Sequence, residues 1–308
     1  MRFELACTSL LPLVLGLAAC GDDGGGATGT VQVFIEAEDT IPDGLDPGTM
    51  GDAIADGWTV RYDKFIVVAG DFKAHRSSTP DDVLAFPDAW VLDMKSLPSG
   101  GFVLGEKTGV AAERWDKVGF SLPKATSAAR KADFTSQADY DLMVQNGWSL
   151  YVEATLTKPD GQSCLPTAPT DCVAATTLHV KFGLNAATSF ADCAPPQGDA
   201  GFAVPSGGSV QVKPTIHGDH WFFSNITQGA EITERLAQWI ANADLNRDGN
   251  VDLNEARQSA AGDLFPNPPY NLSGAIIPVN NGADYIEAQS RTLGDFEGDG
   301  ECPTRTIL

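Results

Sequence analysis

The amino-acid sequence predicts a mainly β protein, an antiparallel β-sandwich carrying a small helical appendage at its C-terminal end. Three observations point there. From Thr30 to about His217 apolar and polar residues alternate with a period of two, the mark of strands with one buried and one wetted face. Glycine and proline are moderately plentiful, at 32 and 19 residues, and punctuate the runs as in Leu97-Pro98-Ser99-Gly100-Gly101 and Pro159-Asp160-Gly161, where they serve turns. After Trp221 the apolar spacing changes to three and four, the spacing of a helix face.

The clearest alternations are Val31, Val33 and Ile35; Leu150, Val152, Ala154 and Leu156; Leu178, Val180 and Phe182; and Val210 and Val212. Further strands are expected over Trp58 to Val68, Trp90 to Met94 and Val118 to Leu122. Seven or eight short strands at this spacing suggest an immunoglobulin-like sandwich, with a small barrel as the alternative. Beyond them, Ile232, Leu236, Trp239, Ile240 and Ala243 share one helical face, with Glu231 and Glu234 in the first turns where the helix dipole favours negative charge. A second helix is expected from about Asp252 to Ala261, stopping at Gly262, and a short one near Tyr285 to Thr292, before an acidic tail. The predicted organisation is therefore a signal at 1–19, a tether at 20–29, a β-sandwich at 30–225 and a helical region at 226–308.

Composition bounds the function. The chain has 308 residues, 43% hydrophobic and 20% charged, enough for one large domain or two ordinary ones. Twenty basic against 41 acidic side chains leave a net charge of −21, which argues against a nucleic-acid partner because like charge would face the phosphates. Outside the N-terminus no apolar run approaches a membrane span.

The first twenty residues read as an export signal, with apolar residues around Leu10 to Leu17 ending in Ala18-Ala19-Cys20. Leu17-Ala18-Ala19-Cys20 resembles the lipobox of bacterial lipoproteins, although the n-region carries only Arg2, offset by Glu4. The resemblance implies that Cys20 is acylated and becomes the mature N-terminus, tethering a soluble body to the cell envelope; two or more acyl chains anchor stably, one does not. An ordinary secretory signal is the alternative. The glycine-rich stretch from Asp22 to Gly29 reads as a flexible tether.

With Cys7 in the signal and Cys20 the lipid candidate, Cys164, Cys172, Cys193 and Cys302 remain. An even number in an exported chain implies disulfides. Three pairings are possible; Cys164–Cys172, closing a small loop, and Cys193–Cys302, pinning the tail, are favoured over a metal site, since no C-x-x-C spacing occurs.

The sharpest motif runs from Asp244 to Glu255. Asp244, Asn246, Asp248, Asp252 and Glu255 put side-chain oxygens at loop positions one, three, five, nine and twelve; Gly249 permits the turn at position six and Asn250 offers its carbonyl at position seven. This segment is similar to an EF-hand, which implies Ca²⁺ held by those six residues. The exit helix lacks bulky apolar residues, and the Asp295-Phe296-Glu297-Gly298-Asp299-Gly300 segment places Thr306 at its twelfth position, so no second full hand is expected and the tail reads as a solvated acidic segment. A lone hand of this kind suits a structural clip better than a groove-opening sensor.

Four histidines occur, at 75, 179, 217 and 220. His75 reads as a solvated loop residue, and alternation places His179 and His217 on polar strand faces. His217-Gly218-Asp219-His220, joined by His179 if their strands are neighbours, offers imidazole and carboxylate ligands for copper or zinc. The bland alternative is a strand-ending turn, with Asp219 bonding backbone amides and His220 packing beside Trp221. Histidine and tryptophan on an exported β scaffold are also faintly similar to the copper-binding β-sandwich proteins associated with methanobactin operons. No G-x-S-x-G, P-loop or H-E-x-x-H occurs. Asn225-Ile226-Thr227 and Asn271-Leu272-Ser273 have the form of glycosylation sequons, incidental in a bacterial lipoprotein. The sequence thus reads as a non-enzymatic, calcium-binding envelope lipoprotein with a protein or small-molecule ligand; a copper or zinc protein is the alternative.

Overall fold

The computed structural model describes residues 26–227 and 234–307. The signal, the lipobox with Cys20, most of the tether and the helix-start residues Glu231 and Ile232 lie outside the described residues. The fold is mainly β, as expected, but its sheets are mixed rather than antiparallel throughout.

The larger sheet is built on one long strand, Thr59–Arg76. Its first half pairs with Leu150–Thr157 and its second with Lys117–Leu122, while Thr79–Asp93 runs alongside. Thr177–Leu184 continues the sheet next to Leu150–Thr157, and Asn250–Asp252 adds parallel to it at the edge. Thr188–Ala191 and Thr304–Ile307 extend the other side. The smaller sheet centres on Thr28–Ala37, which takes Ser209–Val212 and Pro214–Ile216 as parallel neighbours and Phe102–Ala111 as an antiparallel one. Gly294–Phe296 then pairs antiparallel with Pro214–Ile216. These parallel pairings replace the expected immunoglobulin-like antiparallel sandwich. The first strand also starts at Thr28, inside the expected tether.

Alternation holds where one face is wet: Val31, Val33 and Ile35 are fully buried between half-exposed neighbours. It fails from Phe65 to Gly70, where every residue is buried. A helix that the alternation did not reveal, Gln137–Asn146, covers that second face; Met143 packs with Ile66, Val68 and Tyr151. Local chemistry sets its ends. Ser136 caps it by accepting from the Asp139 N–H, and Gly147 ends it at φ 63°, a conformation that glycine adopts without steric cost.

The C-terminal region is less helical than its periodicity implies. Among the described residues the expected entering helix is helical only over Gln238–Asn242, because Leu236 before it donates its N–H to the Phe222 carbonyl at 2.7 Å instead of to a helical turn. The expected Asp252–Ala261 helix is two pieces, Leu253–Gln258 and Ala261–Leu264, separated at Ser259; Gly262 lies inside the second rather than ending the first. The final helix is Gly282–Ser290, capped by Asn281. Apolar packing runs without interruption through the expected boundary near residue 225: Trp221, Trp239, Phe265, Tyr285 and Phe296 join Val31, Phe65 and Phe182 in one core.

Both favoured disulfides form, Cys164–Cys172 and Cys193–Cys302, consistent with an oxidising, extracytoplasmic setting. Among the described residues no helix is long and apolar enough to cross a membrane.

Candidate metal centre

Three segments of the smaller sheet converge on a pocket of about 340 Å³. Glu38 follows the Thr28–Ala37 strand and its N–H bonds the Ile216 carbonyl at 2.9 Å. His217 follows Pro214–Ile216, with its N–H on the Leu293 carbonyl at 3.0 Å. Asp295 sits in the Gly294–Phe296 strand, opposite Thr215. The expectation that His217 lies on a wet strand face is corrected: it is buried, because Pro214, Thr215 and Ile216 all face protein and the alternation stops at Lys213. Asp295 was expected in a solvated tail; the strand pairing and the Cys193–Cys302 link place it inside instead.

The turn after His217 is fixed from both sides. The Tyr62 hydroxyl donates to the Gly218 carbonyl, and the Gly218 N–H bonds the Thr40 hydroxyl at 3.2 Å. A Cβ at Gly218 would stand 2.7 Å from Ile41 Cγ1, so only glycine fits without displacement. Asp219 then precedes the short 3-10 turn His220–Phe222, which buries both Asp219 and His220.

The His217 ring is clamped between carboxylates. Its Nδ1 lies 3.1 Å from Glu38 Oε2 and 4.0 Å from Asp219 Oδ1, and its Nε2 lies 3.2 Å from Asp295 Oδ2. Burial pulls the imidazole pKa down, but the Glu38 hydrogen bond and the Asp295, Glu38 and Asp219 charges outweigh it and raise the value to about 10. Burial pushes Glu38 the other way, yet the His217 contact holds it down at about 2. Asp295 is raised to about 7, chiefly by burial and against the pull of His217. Asp219 is raised to about 6 by burial and by Glu38, in opposition to Arg235 and His217.

His220 is the contrasting imidazole. Burial, then the His217 charge, lowers it to about 3, so it is neutral at physiological pH. Its Nδ1 lies 2.8 Å from the Thr292 hydroxyl, whose own proton goes to the Gln289 carbonyl at 2.9 Å. Thr292 therefore accepts, Nδ1 carries the hydrogen, and Nε2 keeps its lone pair, the state in which an imidazole ligates metals.

Asp219 is divided. Arg235 Nε and Nη2 each approach Oδ2 at 2.6 Å. Oδ1 is buried and has no hydrogen-bond partner, although a buried carboxylate oxygen without one is costly. His217, Asp219 and His220 each bring one ligand atom within 4.8 Å of the others; so do Glu38, His217 and Asp299, and Glu38, Asp52 and Asp219. All three sets lie in this pocket. Two nitrogens and hard oxygens suit zinc or copper(II).

His179 does not join them. It is exposed on the Thr177–Leu184 strand of the larger sheet, its Nδ1 3.3 Å from Thr155 Oγ1, and its strand neighbours are Leu150–Thr157 and Asn250–Asp252 rather than the His217 strand. His75 lies near the end of Thr59–Arg76, on a strand rather than in a loop. The bland turn reading of Asp219 is corrected too, since its carboxylate bonds Arg235 and caps no backbone amide.

The Asp244–Glu255 loop closes on itself through its own amides. Buried Asp244 accepts from the Asp248 and Gly249 N–H groups at 3.1 and 3.0 Å. Asn246 accepts from Asp248, Asp248 from Asn250, and Asp252 from Asn254, all at 2.8 Å. Glu255 Oε1 reaches back to the Asn246 N–H at 3.4 Å. Arg247 and Gly249 take positive φ, 62° and 79°. The loop's Asn250–Asp252 segment pairs with His179–Lys181.

Sequence reasoning missed Glu38, Asp295, Asp52 and Arg235. Only the Asp295–Asp299 acidic segment carried any signal, and a single sequence cannot show that it folds back against His217.

No protein-family model matches the chain, and no curated protein matches it. A search of solved structures finds MbnP from Methylosinus trichosporium, 8% identical with a TM-score of 0.32, the likeness covering 70% of this chain and 84% of that one. A likeness at that level carries no argument.

Proposed function

We propose that this chain is an extracytoplasmic metal-binding protein that holds one copper or zinc ion through His217, Asp219 and His220, with Glu38 beside them. The observation that carries the reading is Asp219 Oδ1, buried without a hydrogen-bond partner and 4.0 Å from His217 Nδ1, in a carboxylate that groups with both imidazoles within 4.8 Å. His220 is already neutral with Nε2 free, whereas His217 holds a proton between Glu38 and Asp295 that a metal must displace. No catalytic chemistry is assigned. Cys20 acylation would hold this body on the envelope; its partner is the membrane, together with a protein or small-molecule ligand.

Elemental analysis of protein purified without chelator or polyhistidine tag tests the site. Stoichiometric copper or zinc is expected, lost in the His217→Ala/His220→Ala double variant. Metal-free wild-type protein that takes up neither ion on addition refutes the reading.

A second reading, Ca²⁺ in the Asp244–Glu255 loop, is favoured by one specific observation. The Asn250–Asp252 segment pairs with a strand of the body, which gives a lone hand the support that a second hand usually supplies. Ca²⁺ there would act as a structural clip, and an affinity of about 10⁻⁴ to 10⁻³ M is sufficient outside the cell. Calorimetry checks it: calcium heat should vanish in Asp244→Ala and Glu255→Gln, and unchanged heat in both removes the assignment.

A further inference from the structure

The pocket contains a second, oxygen-only corner beside the histidines. Glu38, Asp52 and Asp219 each bring a carboxylate oxygen within 4.8 Å of the others. That corner is already occupied by a cation of the chain itself. Arg235 Nη2 lies 2.7 Å from Asp52 Oδ1 and 2.6 Å from Asp219 Oδ2, and Nη1 bonds the Gly51 carbonyl at 2.8 Å. The guanidinium is nearly buried and lies over the Phe223 ring at 5.3 Å. Its fork therefore takes one oxygen of Asp219 and leaves the other, unpartnered and only 1% exposed at the side chain, facing His217.

We propose that Arg235 is the specificity-determining residue of the metal centre: its guanidinium substitutes for a second ion, restricting a pocket with two overlapping ligand sets to a single, imidazole-bound metal. The inference rests on the metal reading above and goes beyond it. A shared carboxylate bridging two ions is the usual way two adjacent sites fill together, because each positive charge needs the oxygens between them. Here a fixed positive charge holds the bridging oxygen, so a hard, oxygen-seeking cation such as Mn²⁺ meets both a missing ligand and a like charge at close range. An imidazole-seeking ion on the far side of Asp219 keeps its ligands. The planar fork, rather than charge alone, does this, since it satisfies Asp52 and Asp219 together.

The test uses the full mature chain in a Glu255→Gln background, which removes the loop as a competing Mn²⁺ site. Zinc content is read by elemental analysis and bound Mn²⁺ by paramagnetic resonance. The parent should hold one zinc and exclude Mn²⁺ even in large excess. Arg235→Gln should hold zinc and in addition one Mn²⁺ per chain, and Arg235→Gln/Asp52→Asn should lose that Mn²⁺ again. An Arg235→Gln protein that folds, binds zinc and takes no Mn²⁺ overturns the proposal while leaving the metal reading intact. A parent that binds no zinc or copper overturns the metal reading itself. Should Arg235→Gln fail to fold, Arg235→Lys, which keeps the charge but not the planar fork, decides: Mn²⁺ taken up beside zinc supports the proposal, and exclusion as complete as the parent's overturns it.

Discussion

The two disulfides differ in the length of chain that they close, and that difference sets a testable ratio. Cys164 and Cys172 are eight residues apart, whereas Cys193 and Cys302 are separated by 109. Loop-closure entropy assigns about 2.5 kcal/mol to the short link and about 5 kcal/mol to the long one at room temperature. Packing acts in the same direction, since Cys193 and Cys302 are 0% and 2% exposed while the other pair is only half-buried. The long link also follows the strand that presses Asp295 against His217. Urea unfolding of Cys164→Ala/Cys172→Ala and Cys193→Ala/Cys302→Ala proteins, compared with the oxidised parent, measures both losses. The second pair should cost about twice as much as the first, with a steeper dependence on urea as the freed unfolded chain exposes more surface. Equal losses, or a larger one for the short loop, would refute the chain-entropy reasoning.

Other outcomes follow from the same contacts. Nitrogen NMR of the metal-free protein should find His220 neutral down to about pH 4 and His217 protonated above pH 8, given values of about 3 and about 10; either ring titrating near its ordinary value contradicts the geometry. Stability should follow suit. The His217 contribution, from a pKa raised on folding, is complete below its ordinary value of 6.5 and lost as pH rises through about 10, and His217→Gln should flatten that alkaline limb. The His220 contribution, from a lowered pKa, is complete above 6.5 and lost as pH falls through about 3. Tyr62→Phe removes the hydroxyl that holds the Gly218 carbonyl and should cost about 1 to 3 kcal/mol in thermal or urea unfolding, with weaker metal binding; unchanged stability would mean that the turn does not depend on it. Gly183→Ala would put a Cβ 2.4 Å from the Trp148 ring, and a loss of about 1 to 3 kcal/mol with a shifted tryptophan emission is expected; an unaltered transition counts against that packing.

Local chemistry was legible where neighbours in sequence decide the outcome. Alternation located the strands at Val31, Leu150 and Leu178, because one wet and one dry face demand a period of two. Cysteine number and export context led to the disulfides. The turn residues of the Asp244–Glu255 loop follow from the backbone they need, with Gly249 at positive φ. Only the tertiary structure decided which strands lie side by side, and hence which charges meet. His179 lies within a strand and His217 just past the end of one, yet the first ends beside Asn250 in the larger sheet and the second between Glu38 and Asp295 beside the smaller. Glu38, His217 and Asp295 come from segments far apart in the chain, and pairing between such segments is set by burial of whole faces against one another rather than by any local preference. The sequence supplied the side chains; the parallel placement of Pro214–Ile216 beside Thr28–Ala37 brought them to a common centre.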